Sequence, residues 1–126
     1  MQARLLSEVE AMVARELSHV KKLRHQIHRC PELSWQEVET AALVAAELES
    51  LEGLTVERGV GKMGVVACLK GAQSGPTVGL RADMDALPLQ EKTELPYQSE
   101  VPGVMHACGH DGHTANLLGC LLYTSD

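Results

Sequence analysis

The sequence predicts an α/β fold. An apolar period of three and four residues occupies the first fifty positions, and short β-branched runs cut by glycines follow immediately after it. An acidic pair then closes one apolar run, and the ends of strands in open α/β sheets are where ligands usually bind.

The first element is a helix over residues 4–29. Leu5, Val9, Met12, Val13, Leu17, Val20, Leu23 and Ile27 fall on one helical face, and Pro31 ends the run. Ser34-Trp35-Gln36-Glu37 has the capping-box pattern, which predicts a second helix over residues 35–51 with Gly53 placed to stop it. Beyond Gly53, residues 54–57, 64–70 and 77–81 read as strands. The glycine- and proline-bearing segment 71–76 reads as a turn that makes the last two neighbours. Val78 and Leu80 lead into Arg81-Ala82-Asp83-Met84-Asp85-Ala86-Leu87-Pro88. Residues 90–104 hold Pro96 and Pro102 and show no period, so they read as a long loop, which in a compact domain is more often functional than idle. A helical pattern resumes from about Asp111, with Leu117, Leu118, Leu121 and Leu122. Gly59-Val60-Gly61-Lys62-Met63-Gly64 lacks the phosphate-loop signature and opens no helix.

Composition removes several function classes. At 126 residues and 44% hydrophobic the chain can bury one modest core. Trp35, Tyr97 and Tyr123 are its only aromatics, so that core is aliphatic and no stacking platform for bases exists. The net charge of −6 offers no basic stripe to a phosphate backbone; Lys21, Lys22 and Arg24 read as a solvated helix face, and nucleic acid is excluded as a partner. No apolar run approaches the roughly 20 residues that span a bilayer, and charges interrupt the first thirty residues, so a cytoplasmic protein without membrane partners is expected. The four cysteines are far apart with no C-x-x-C pair, which reads as thiols, with Cys30, Cys68 and Cys120 expected as small buried hydrophobes.

Chemistry concentrates in Met105-His106-Ala107-Cys108-Gly109-His110-Asp111-Gly112-His113. Three of the six histidines, a Cys and an Asp fall in this one short segment, a density that packing does not require. Imidazole and thiolate bind borderline-soft divalent ions such as Zn²⁺. Cys108 and His110 are two apart, so an extended backbone points both to one side, and Gly109 permits close approach; they are the candidate metal ligands. His113 is a candidate ligand, substrate contact or supporting group. Asp83 and Asp85, at i and i+2, can reach one pocket and hold a ligating His in its working tautomer. His25 and His28 on the first helix read as helix-end or packing residues. A competing reading is a small non-catalytic metal-binding or redox-sensing module, with Cys108 and His110 as a complete site.

Three motifs in order, Leu23-Arg24-His25-Gln26-Ile27-His28 with Pro31-Glu32-Leu33-Ser34, then the Leu80 to Pro88 segment, then Met105 to Thr114, resemble the M20 family of metallopeptidases. The nearest branch contains aminoacylases, hippurate hydrolases and auxin-conjugate amidohydrolases. The resemblance implies a zinc-peptidase-like three-layer catalytic domain, with residues 1–119 as its N-terminal portion, residues 120–126 as an atypical tail of non-native character, and the dimerisation domain absent. It implies two divalent ions, Zn or Mn with Co or Ni compatible, a small-molecule N-acyl amino acid substrate and a homodimeric full-length protein. By position Cys108 and His110 resemble metal ligands and Asp85 the catalytic carboxylate that orients a ligand, while Asp83 stands where related branches carry a ligating His. In the family the general base is the first Glu of a downstream Glu-Glu pair, and a further Glu and two His complete the ligands. No such residues follow His113 up to Asp126, so the isolated chain is expected to be inactive and to bind metal weakly.

Overall fold

The apolar period of the N-terminal segment folds as helix α1, Gln2–Arg29, in the computed structural model of the chain, which describes residues 2–124. His28 and Arg29 in its last turn complement the negative end of the helix dipole. Only the C-terminal turns of the apolar stripe are covered: Leu23 and Ile27 are buried, whereas Leu5, Val13 and Leu17 stay exposed because the elements packed on α1 reach no further.

Helix α2 runs Val38–Glu49, starting three residues later than the capping-box pattern predicts. The box does not form: Trp35 adopts a left-handed φ of 69°, which no helix start tolerates, and Glu37 at the cap position makes no side-chain cap bond. Glu32 caps the helix from the preceding turn. Its Oε1 accepts the Glu39 N–H at 3.0 Å and its Oε2 accepts the Thr40 N–H and hydroxyl, both at 2.7 Å. Glu32→Ala should therefore cost about 0.5–2 kcal/mol in urea denaturation, the usual range for a lost cap, while Ser34→Ala should leave the midpoint unchanged.

Strands β1, Leu54–Val60, and β2, Gly64–Leu69, form an antiparallel hairpin that pairs Leu54 with Leu69 and Val60 with Gly64, with a bulge between Arg58 and Val60. Gly61 and Lys62 supply the positive φ values that such a tight turn requires. A side chain at Gly64 would run into the Val60 carbonyl. The predicted pairing of residues 64–70 with 77–81 is not observed. The tight turn closes β1 directly onto β2, and residues 77–81 form no strand among the described residues, with Val78 81% and Leu80 66% exposed. An apolar run marks the capacity to be a strand; a hydrogen-bonded neighbour makes it one.

After this stretch the chain is pinned at two isolated bridges. Ala86 N–H donates to the Glu32 carbonyl at 2.7 Å, and Leu87 and Met105 exchange backbone bonds at 2.9 and 3.0 Å. Residues 90–104 form the expected loop without regular structure. Helix α3, His110–Thr124, then returns across α1. Gly119 allows close approach, since a Cβ there would lie 2.7 Å from Val20 Cγ2. Residues 120–124 of the atypical tail continue α3, and residues 125–126 lie outside the described residues.

The core is aliphatic, as composition requires: Leu23, Val44, Leu48, Ala115 and Leu118, flanked by Leu54, Val56, Val65 and Ala67 of the hairpin and by Met84. The α/β class holds, with α2 packed on the hairpin and α3 packed against both α1 and α2. The cysteines differ from expectation, because all four are exposed. Cys68 shows why: Val65 and Ala67 alternate toward the helices, so Cys68 faces the other side of the strand. No helix among the described residues is long and apolar enough to cross a membrane.

Candidate metal centre

The site forms where the chain past Asp83 meets the start of α3. Gly109 takes a φ of 105°, a conformation that favours glycine, and turns the backbone so that His110 becomes the first helical residue. Thr114, one turn on, donates its hydroxyl to the Asp83 carbonyl at 2.8 Å and ties the helix to the extended segment. His110 Nδ1 then donates to Asp85, 2.9 Å from Oδ1 and 3.0 Å from the carbonyl oxygen. With Nδ1 carrying the proton, the lone pair of neutral His110 lies on Nε2, which is 3.8 Å from Asp83 Oδ2. The His113 ring centroid lies 5.5 Å from that of His110. One ligand atom each from Asp83, His110 and His113 falls within 4.8 Å of the other two. A carboxylate and two imidazoles at that separation, one imidazole orientated by a second carboxylate, is a donor set that fits a borderline divalent ion. Arg81 holds the other Asp83 oxygen at 2.7 Å.

Four of the five residues singled out in the sequence thus meet: Asp83, Asp85, His110 and His113. Cys108 is exposed and lies outside the convergent group. The expectation that Cys108 and His110 share a side assumed an extended backbone. The turn at Gly109 and the helical start at His110 break that alternation.

A buried charged cluster beside the site is not visible as such in the sequence. Asp111 is fully buried, and its Oδ2 accepts from His28 Nδ1 at 2.7 Å and from Arg24 Nε at 3.1 Å. His28 Nε2 faces Glu91 Oε1 at 3.2 Å, so the helix-end or packing role expected of His28 gives way to a bond at each ring nitrogen. Glu91 also accepts from the Thr93 hydroxyl and the Ser99 N–H, which fastens the 90–104 loop. Burial pushes the carboxyls of Asp111 and Glu91 up, but the donors outweigh it and hold both below their ordinary values. Those donors are His28, the Gly112 N–H and Arg24 for Asp111, and Thr93, Ser99 and His28 for Glu91. His106 is buried, and burial drives its pKa down despite the nearby Asp111. His25 stacks on Tyr97 with centroids 3.8 Å apart. The signal available in the sequence was Arg24 and His28 at i and i+4, beside an apolar stripe and opposite an acidic helix start.

Fold and side chains together define an α/β chain carrying a carboxylate–imidazole group of metal-ligand type. Residues 79–126 match the model of peptidase family M20/M25/M40. Over 98 residues the chain is 58% identical to the hippurate hydrolase of Campylobacter jejuni, covering 78% of this chain and 25% of that one. Over 112 residues it is 48% identical to the N-acyl-L-amino acid amidohydrolase of Geobacillus stearothermophilus, covering 89% and 30%. Among solved structures, the Bacillus subtilis YXEP protein, described as a dinuclear metal binding peptidase from the M20 family, superposes with a TM-score of 0.80 at 43% identity. That match covers 92% of this chain and 31% of YXEP. The chain belongs to the M20 peptidase family, and it spans about a quarter of the length of the curated relatives it matches.

Proposed function

We propose that this chain contributes one part of a divalent-metal site to an amidohydrolase that cleaves the linear amide bond of N-acyl amino acids. The observation that carries the reading is the convergence of Asp83, His110 and His113, with His110 Nδ1 spent on Asp85 so that Nε2 is free to ligate. Asp83, His110 and His113 would hold an ion, and Cys108, two residues before His110, is proposed on the resemblance alone as a further thiolate ligand. Two ions, Zn or Mn, are proposed because a structural relative is described as dinuclear. Bound there, a divalent ion supplies Lewis acidity toward an amide carbonyl and toward water.

The rest is done by the chain's own groups. Asp85 fixes the His110 tautomer and Thr114 fixes the height of α3 against Asp83. Arg81 offsets the charge of Asp83 until an ion does so. An amide also needs a base to take the proton of the attacking water, and none of these residues is assigned that role. We therefore propose that this chain alone turns over no substrate. The homodimeric and cytoplasmic character of the whole protein is proposed on the resemblance alone.

Calorimetric titration with Zn²⁺ or Mn²⁺ tests the site. The 126-residue chain should bind weakly, and Asp83→Ala and His110→Ala should each weaken binding at least tenfold, in line with losses seen when metal-site groups are removed. Unchanged binding in both variants would overturn the assignment. Turnover of an N-acetyl amino acid by this chain alone would overturn its inactivity. A protein of the relatives' full length that carries this segment should release free amino acid from N-acetyl amino acids in a chelator-sensitive reaction.

A further inference from the structure

We propose that His28 is a positioning residue that acts through Asp111 on the two imidazoles of the metal centre. Its use rests on the metal-site reading above, but the positioning itself does not.

Asp111 stands between His110 and His113 in the first turn of α3, so whatever holds its carboxylate sets the rotation of that turn. Successive helical residues are about 100° apart, so a modest rotation would carry His110 off Asp85 and both rings away from Asp83. Two side chains grip the carboxylate, both through Oδ2. The Arg24 side chain is 43% exposed and bonds at a longer 3.1 Å, where solvent competes. The His28 side chain is only 4% exposed, its bond is 2.7 Å, and it projects from the turn of α1 anchored by buried Leu23 and Ile27. His28 is therefore the rigid link between the α1 frame and the start of α3. Its other nitrogen serves a different task, fastening the 90–104 loop through Glu91.

The two arms can be separated by substitution. An asparagine amide places an N–H near the position of Nδ1, and a glutamine amide places one near Nε2. In the metal-free 126-residue chain with ¹⁵N-labelled histidine, NMR reads the tautomer and chemical shifts of His110 and His113 directly. His28→Asn should keep both residues at their native resonances. His28→Gln should move them and loosen the Nδ1–H tautomer of His110. Glu91→Gln, which weakens only the loop arm, should lower the melting temperature and leave the two rings in place.

Should His28→Gln fail to fold, Asp111→Asn carries the same readout, with displaced His110 and His113 resonances expected. Native resonances in His28→Gln, or in Asp111→Asn where that variant stands in, would overturn the proposal. So would displacement in all the variants that merely follows their loss of melting temperature. Zn²⁺ titration of the same proteins should show binding on the order of tenfold weaker in His28→Gln and near native in His28→Asn. If the native chain binds no metal while His28→Gln still moves the rings, the metal-site reading fails and the positioning role stands.

Discussion

Asp111→Ala should lower the stability of the chain by about 1–3 kcal/mol at neutral pH, the cost of leaving a buried polar partner unsatisfied. The carboxylate is fully buried and bonded to His28 and Arg24, so alanine leaves an imidazole in the interior facing no acceptor on that side. Urea denaturation followed by circular dichroism measures the loss; a change under 1 kcal/mol would mean that the cluster is open to water. The same group predicts a pH profile. Glu91 and Asp111 bind protons less readily folded than unfolded, so their contribution is complete above their ordinary values of 4.5 and 3.8. It is lost as pH falls through their depressed folded values. His106 acts in the same direction at higher pH, because below its ordinary 6.5 the unfolded chain takes up a proton that the buried ring refuses. The native protein should thus lose stability on acidification from about pH 6.5 downward, and Asp111→Ala should show a shallower acid limb.

Leu118→Ala should cost about 2–5 kcal/mol, the range for deleting a buried leucine whose surroundings relax only in part. Leu118 is 3% exposed on the inner face of α3, in one cluster with Leu23, Val44, Leu48 and Ala115. Leu80→Ala and Val78→Ala supply the contrast. Both residues lie in the apolar run that reads as a strand, yet both are largely exposed, so each change should stay within about 0.5 kcal/mol. Equal losses at Leu118 and Leu80 would show that residues 77–81 pack in solution as the sequence pattern predicts.

Much of the site was legible because its residues are close in sequence. Asp83 with Asp85, and His110 with His113, are short-range pairs, and dense imidazole near an acidic run points to metal whatever the fold. The period-two alternation does not carry from Cys108 to His110, because Gly109 takes a positive φ and His110 opens a helix. The capping box misled for a similar reason: Ser34 and Glu37 have the right spacing, but Trp35 in the left-handed region removes them from the helix, and Glu32 reaches across the turn instead.

The sequence by itself determined the three helices, the aliphatic core and the acid–imidazole constellation, since each is written in local periodicity, composition or spacing. Tertiary structure decided which apolar run became a strand, which face of α1 was covered, and that His28, Glu91 and Asp111 form one buried cluster across 83 positions of sequence between His28 and Asp111. The physical reason is that hydrogen-bonded neighbours and opposed charges are properties of pairs. No single segment can display a partner that the chain delivers from elsewhere.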